Sequence, residues 1–400
     1  MANIYLGMGE DLLKSKGAFF TAKEIAGQPE LWKKTLKCVN DHRSELLQFI
    51  QSCFEKEDLE IILTGAGTSA FIGDVLEGPF QQKTGKRTRA VPTTDLVTHA
   101  DQYFFSERPI LLISFARSGN SPESVAAVNL ANDLCKNIYH LIITCNREGA
   151  LAKKCRSSNC HVFFLPVEAD DQSLAMTGSF TSMLLTGSLL PRIEKMEEVK
   201  EIVSLLIKSA NLIMDEYLDS IKHIASLPFE RAVFLGSGPM QGIACESHLK
   251  LQELSDGNVI CKYDSFLGFR HGPKAVIDSK TLIIFQFSNN SYVKQYELDL
   301  VKDINSGERG IARVGIGENV EPALDLDYKI SFNNSNYSLQ EDYLSIISVL
   351  PAQMIGFFKS LNLGLKPDTP SASGTITRVV EGVEIYPFTK NNAKTATMEM

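Results

Sequence analysis

Residues 61–69 read IILTGAGTS, and residues 110–124 read ILLISFARSGNSPES. Each is an apolar, β-branched run that breaks into small and hydroxyl-bearing residues, the pattern of a strand emptying into a turn at the start of a helix. There, unpaired backbone N–H groups and the positive end of the helix dipole both favour an anion. In the second stretch Ser121 is placed to be the N-cap, with Pro122 at the first helical position and Glu123 in the first turn. Ser118, Asn120 and Ser121 supply short polar side chains beside it. Either stretch alone also fits an ordinary capped helix. The two together, one βα unit apart, read as a single phosphate cradle.

The event recurs. Glu60 to Gly67 (EIILTGAG) is matched by Arg231 to Gly238 (RAVFLGSG), an offset of 171 residues. The same offset takes Ser118 to Asn289, at the end of the strand pattern TLIIFQFSNNS, and Ile142 in YHLIITCN to Arg313 in GIARVGIGEN. Three matched strands at one offset indicate a tandem duplication. Helical stretches such as Pro122 to Lys136 and Tyr292 to Asn305 alternate with the strands, which implies parallel sheets covered on both faces. The expected fold class is α/β, a tandem pair of doubly wound, three-layer αβα domains with ligands beyond the C-terminal strand ends. The expected divisions are a helical segment over 1–44, domains over 45–205 and 215–365, and a tail over 366–400.

Outside the repeats, Thr21 with Glu24 is expected to form a capping box, and Leu46, Leu47, Phe49 and Ile50 an apolar stripe. The charged segment Arg192 to Lys208 predicts a solvated linking helix. The tail KPDTPSASGTITRVVEGVEIYP is rich in Pro, Ser, Thr and Gly; it is either disordered or laid over a functional site, and disorder is the expectation from composition.

Four hundred residues, 44% hydrophobic and 22% charged, suit a globular chain with more than one core. A formal charge of -8 argues against nucleic acid or an anionic membrane as partner, so a bound phosphate would rely on local donors. The eight cysteines (38, 53, 135, 145, 155, 160, 245 and 261) are scattered without zinc-site spacing and read as reduced thiols. The opening MANIYLGMGEDLLKSKG has no apolar export core, and no uncharged apolar run reaches about 18 residues. The expectation is a cytoplasmic protein.

The stretch Gln241 to Leu254 (QGIACESHLKLQEL) follows the second glycine turn and carries Glu246, Lys250 and Glu253 on one helical face. Such a pattern is often a salt-bridged surface stripe. Downstream, DSFLGFRHGP presents His271 in a loop, and a carboxylate base with a histidine is what an aldose–ketose rearrangement requires. The remaining histidines read as structural.

With GAGTS, SGNSPES, ESHLKLQEL, GFRHGP and SGTITRVV in view, the chain resembles the sugar isomerase (SIS) superfamily over about residues 45 to 385. It closely resembles the galactosamine-6-phosphate deaminase/isomerases, often labelled tagatose-6-phosphate ketose/aldose isomerases, and is similar, more distantly, to the isomerase half of glucosamine-6-phosphate synthase. The resemblance implies that Thr68, Ser69, Ser118 and Ser121 hold a sugar phosphate, with Gly67 and Asn120 shaping the loops. It implies that Glu253 moves a proton between C1 and C2, that Glu246 and Lys250 line the site, and that His271 opens the sugar ring from a neighbouring subunit of a homodimer or higher homo-oligomer. Ala175 and Thr177, in SLAMTGSF, match a segment that touches the sugar.

Two departures stand out. Arg117 replaces a synthase glutamine, either adding charge to the phosphate site or facing solvent. The synthase tail lysine is missing from SASGTITR, where Arg378 is the nearest cation. With only about fifty residues before the first repeat, glutamine is not expected as the ammonia source. The expected reaction is deamination and isomerisation of galactosamine 6-phosphate to tagatose 6-phosphate and ammonia, with no metal or cofactor. The rivals are a galactose-6-phosphate/tagatose-6-phosphate isomerase and a non-catalytic sugar-phosphate sensor.

Overall fold

A computed structural model describes residues 3–333, 338–380 and 382–389, so the last part of the expected tail, 390–400, lies outside the described residues. Strands β1 (Glu60–Thr64), β2 (Arg87–Ala90), β3 (Ile110–Ala116), β4 (Ile138–Thr144) and β5 (Cys160–Phe164) form one all-parallel sheet in the order β2-β1-β3-β4-β5. Strands β6 (Arg231–Gly236), β7 (Ile260–Ser265), β8 (Thr281–Gln286), β9 (Ala312–Gly317) and β10 (Tyr328–Ser331) form the second, in the order β7-β6-β8-β9-β10. One doubly wound order is thus expressed twice. The winding reverses between β1 and β3 in one sheet and between β6 and β8 in the other, and at such a switch point a crevice opens.

A short hairpin (Ile4–Tyr5 with Met8–Gly9) and a short helix (Glu10–Ser15) lead into helices α1 (Phe19–Ala26), α2 (Gln28–Asp41) and α3 (Arg43–Phe54). Around the first sheet lie α4 (Thr68–Thr84), α5 (Pro122–Leu134), the short α6 (Ala150–Lys154) and α7 (Gly178–Leu189). Then follow α8 (Met196–Glu216), α9 (Leu218–Ser226), α10 (Pro239–Leu254), α11 (Phe266–Phe269), α12 (Ser291–Asn305), α13 (Glu341–Ser348) and α14 (Leu350–Asn362).

Two glycines per repeat make each strand-to-helix turn. A side chain on Gly65 would meet the Ser69 backbone at 2.5 Å, and one on Gly236 the Met240 carbonyl oxygen at 2.1 Å. Gly67 and Gly238 then precede α4 and α10 with φ of 56° and 55°, a region that side chains disfavour. The duplication therefore reaches the level of single dihedral angles.

Several expectations need correcting. The buried apolar side chains form more than one cluster, as expected, but the largest is shared by the two sheets rather than confined to one: Leu63 and Ile113 of the first are continuous with Phe234 and Ile284 of the second, and smaller clusters cover the outer faces. The reason is that α10 packs on both α4 and α14, joining the units. The region of Arg192 to Lys208 is amphipathic rather than solvated, since Val199, Ile202, Val203 and Leu206 of α8 are buried and the helix packs on α2. The Thr21–Glu24 capping box does not form, because α1 begins at Phe19 and Thr21 already lies inside it, bonded to Asp368. Not all cysteines are thiols: the chain turns back between α6 and β5 and joins Cys155 to Cys160, leaving the other six free. Leu46 and Ile50 are buried as the apolar stripe of α3 requires. The apolar stretch Glu341–Asn362, long enough by composition to cross a membrane, is buried against α10 and α9.

Candidate active site

The C-terminal ends of β1 and β3 open into a cleft of about 640 Å³. Its floor is Gly67, Thr68 and Ser69 at the start of α4 and Ser118, Ser121 and Ser124 at the start of α5. As the sequence predicts, Ser121 is the N-cap and Pro122 the first helical residue, yet the Ser121 hydroxyl makes no capping hydrogen bond. It is therefore left for the cleft. Asn120 is exposed and turns away: its Oδ1 accepts from the Ala150 N–H at 2.9 Å, while Asn146 Nδ2 donates to the Ser118 carbonyl at 2.9 Å. These two amides fix the loop so that its serines face inward.

A second hollow, about 760 Å³, lies around Phe104, Phe105 and Pro109. It sits before β3, at the opposite end of the sheet from the glycine and serine turns, so the smaller cleft is the candidate site.

Helix α10 crosses from the second unit to supply the other wall, Lys250 and Glu253. Lys250 is 1% exposed and donates to Glu253 Oε2 at 2.5 Å, while Glu246 Oε1 lies 3.6 Å away. The spacing of one and two helical turns is what stacks the three. Burial pushes the Glu246 carboxyl up to about 8, against the pull of Lys250 and with the push of Glu253. Burial alone would discharge Lys250, but the two glutamates outweigh it and its affinity for a proton rises. This is no surface stripe: a buried amine is held between the fully buried carboxyl of Glu246 and the half-buried carboxylate of Glu253, which reaches the cleft. Among the described residues no group of three His, Cys, Asp or Glu side chains could hold a metal ion.

The SIS domain family matches residues 54–191. D-Galactosamine-6-phosphate deaminase AgaS of Shewanella sp. (strain ANA-3) is 39% identical over 389 residues, covering 96% of this chain and 96% of that one. This chain belongs to the AgaS family of SIS proteins. A crystal structure of a candidate tagatose-6-phosphate ketose/aldose isomerase from Clostridium novyi superposes with a TM-score of 0.94 at 39% identity, covering 97% of this chain and all of that one. The tagatose-6-phosphate ketose/aldose isomerase of Escherichia coli gives 0.84 at 37% identity, covering 93% and 97%.

Not every expected residue of this AgaS-family chain reaches the cleft. Ala175 and Thr177 are fully buried behind the wall, where the Thr177 N–H donates to Asp171 at 2.9 Å; in this loop the alternate residues Leu174 and Met176 line the cleft instead. His271 is exposed after α11 and lines no part of it. Arg117 does not face solvent: it is 6% exposed and lines the cleft, and burial lowers its proton affinity, with Asp171 opposing. The composition of the tail predicts disorder, yet Gly374 to Val380 roof the cleft. Its SGTITRVV motif was the available signal. Ser124, one turn beyond Ser121 on α5, is a further hydroxyl that helical spacing alone would have found.

Proposed function

We propose that the chain deaminates and isomerises galactosamine 6-phosphate to tagatose 6-phosphate and ammonia. The observation that carries the reading is the meeting, in one cleft, of a hydroxyl-lined cradle with the buried Glu246–Lys250–Glu253 column, in a chain 39% identical to an AgaS deaminase over 96% of both lengths.

The phosphate sits on Thr68, Ser69, Ser118 and Ser121 against the N-terminus of α5, with Arg117 adding charge. The open-chain sugar then directs C1 and C2 toward Glu253. Glu253 takes the C2 proton and returns it to C1, converting the aldehyde and amine to a hydroxyl and a C2 imine through an enolamine. Water adds to the imine, ammonia leaves, and the ketone remains. Lys250 holds the base in position and balances its charge, and Glu246, one turn back on the same helix, fixes Lys250 from behind.

His271 opens the ring from a partner subunit in this reading. Its exposure supports that, as do the exposed apolar side chains Ile260, Tyr263 and Leu267 on β7 and the adjoining α11. The reading keeps two SIS domains, over 45–205 and 215–365, and a cytoplasmic location, which six free cysteines of eight fit. Ammonia release across a panel of hexosamine 6-phosphates is the test, with galactosamine 6-phosphate expected to be fastest. Release from glucosamine 6-phosphate alone would move the substrate, and release from none would overturn the reading. Mixing a Glu253 variant with a His271 variant should rebuild about a quarter of wild-type sites by twofold symmetry. No recovery despite subunit exchange would place His271 outside the partner's site.

A further inference from the structure

The segment Asp170 to Leu174 separates two sets of partners. On one side its N–H groups are taken by Glu24, which accepts from Gln172 N at 2.5 Å and Ser173 N at 3.3 Å, and also from the Ser173 hydroxyl. The Asp171 carboxylate, 1% exposed, accepts from the N–H groups of Thr177, Gly178 and Ser179 at the start of α7. The carbonyls on the other side meet two guanidinium groups. Arg378 donates through Nε to Asp171 O at 2.9 Å, and through Nη2 to Asp171 O at 2.5 Å and Asp170 Oδ1 at 2.6 Å. Arg117 donates through Nη1 to Leu174 O at 3.3 Å and Ser173 O at 3.5 Å. The ring closes where Arg117 Nη2 donates to the Arg378 carbonyl at 2.5 Å.

Earlier in the tail the chain is pinned once more. The Asp368 carboxylate accepts from Phe20 N, Thr21 N and Thr21 Oγ1 at 3.2, 2.8 and 2.8 Å. Its carbonyl accepts from Leu174 N at 3.0 Å, which ties the tail to the same segment that Arg378 grips. Between these two anchors Ser371 to Thr375 bond mainly among themselves, as in the 2.7 Å contact of the Ser373 and Thr375 hydroxyls. At Arg378 the cleft roof is held by that side chain's grip on Asp170 and Asp171 and by Arg117 on its carbonyl; further along, Phe388 packs against the outer apolar cluster of the first sheet.

We infer that Arg378 is a positioning residue, which clamps Gly374–Val380 over the cleft and, through its main-chain carbonyl, aims Arg117 at the bound phosphate. The identity of the ligand rests on the deaminase reading above, whereas the clamp rests on these contacts alone. Among the described residues, the guanidinium of Arg117 donates through Nη1 and Nη2 to the carbonyls of Ser173, Leu174 and Arg378, fewer bonds than its five N–H groups can make, so donors remain for an anion. The side chains of Arg378 and Asp170 are only about a third exposed (35% and 34%), and the grip on Asp171 is to a main-chain oxygen that a change of side chain there would not remove.

The test uses the full chain with Arg378→Ala, Arg378→Lys, Asp170→Asn and Arg117→Ala, and reads three quantities. Inorganic phosphate affinity by calorimetry should fall about tenfold in Arg378→Ala, the fold-change of losing one hydrogen bond to a charged group. KM for galactosamine 6-phosphate should rise by a similar factor while kcat changes less than about threefold, and amide hydrogen exchange of 374–380 should quicken. Arg378→Lys should restore part of each, and Asp170→Asn should reproduce part of each from the other side of the contact. In the Arg117→Ala background, Arg378→Ala should weaken phosphate binding by less than about twofold more, because the two act as a unit. Unchanged phosphate affinity and exchange in Arg378→Ala, or full additivity with Arg117→Ala, would overturn the inference. If the wild-type chain releases no ammonia, the deaminase reading fails, while phosphate affinity and exchange still decide the clamp.

Discussion

The two crevices of this chain share a strand order and a pair of glycines, yet they differ in whether their polar groups are already paired. In the first, the Ser121 hydroxyl makes no cap bond and the serines of the loop line an open cleft. In the second, the equivalent donors are spent. The Ser288 N–H donates to Glu297 Oε2 at 3.0 Å and its hydroxyl donates to Glu341, while Asn289 Nδ2 donates to Glu318 at 2.8 Å. Asn290 caps α12 with its own side chain, accepting from Tyr292 N at 2.9 Å. Glu297, fully buried, takes up an N–H that an anion would need, and burial pushes its carboxyl up to about 7. The two loops thus share a geometry and differ in whether their donors are spent within the protein. The second unit has kept the fold and used its helix to carry Glu253 instead.

The largest expected effect lies where the units meet. Glu253→Gln keeps the size and removes the base, so turnover measured at saturating substrate should drop by about 10² or more, with phosphate affinity nearly unchanged. Near-normal turnover would return Glu253 to a structural role. Next come the cradles themselves. Ser118→Ala and Ser121→Ala should each weaken phosphate binding by about 1.5–3 kcal/mol, the range for a hydrogen bond to a charged group. In the second crevice, Ser288→Ala and Asn290→Ala should leave phosphate affinity alone, and Asn290→Ala should cost about 0.5–2 kcal/mol of stability as a lost cap. Calorimetry on all four, with a wild-type stoichiometry of one phosphate per chain, would show whether the contrast is real; weaker phosphate binding in the Ser288 variant would erase it.

A smaller effect follows from pH. Glu246 holds its proton up to about 8 in the folded chain against an ordinary value of 4.5, so its contribution to stability is fully present below about 4.5 and is lost as pH rises through about 8. Glu297 loses its contribution through about 7. Glu246→Gln and Glu297→Gln cannot lose that proton, so Tm of each relative to wild type should climb with pH across these windows. A Tm difference that stays flat across both windows would mean that the carboxyls are not held protonated.

Much of this was legible in the chain because it is local. A strand running into Gly65 and Gly67, or Ser121 followed by Pro122 and Glu123, is specified within a few residues, and repetition at one offset discloses the second sheet. The contacts that fail to show are those made across the sequence. Thr21 and Glu24 have capping-box spacing, but Asp368 claims the first and the Gln172–Ser173 backbone the second, from far along the chain. The family resemblance points to Ala175 and Thr177 as the sugar-facing pair, whereas Leu174 and Met176 face the cleft, a choice set by Asp171 gripping Thr177. Composition assigns the tail to disorder because the groups that hold it, Asp170 and Asp171, belong to another loop.

Deuterium labelling probes the central claim, that the first cradle and Glu253 together deaminate a 6-phosphorylated amino sugar. Galactosamine 6-phosphate and the wild-type chain in deuterated water should yield ammonia together with tagatose 6-phosphate carrying deuterium at C1, followed by NMR, to the extent that the proton on Glu253 exchanges before its return. Rapid isomerisation of galactose 6-phosphate, with no ammonia from any hexosamine 6-phosphate, would contradict the account.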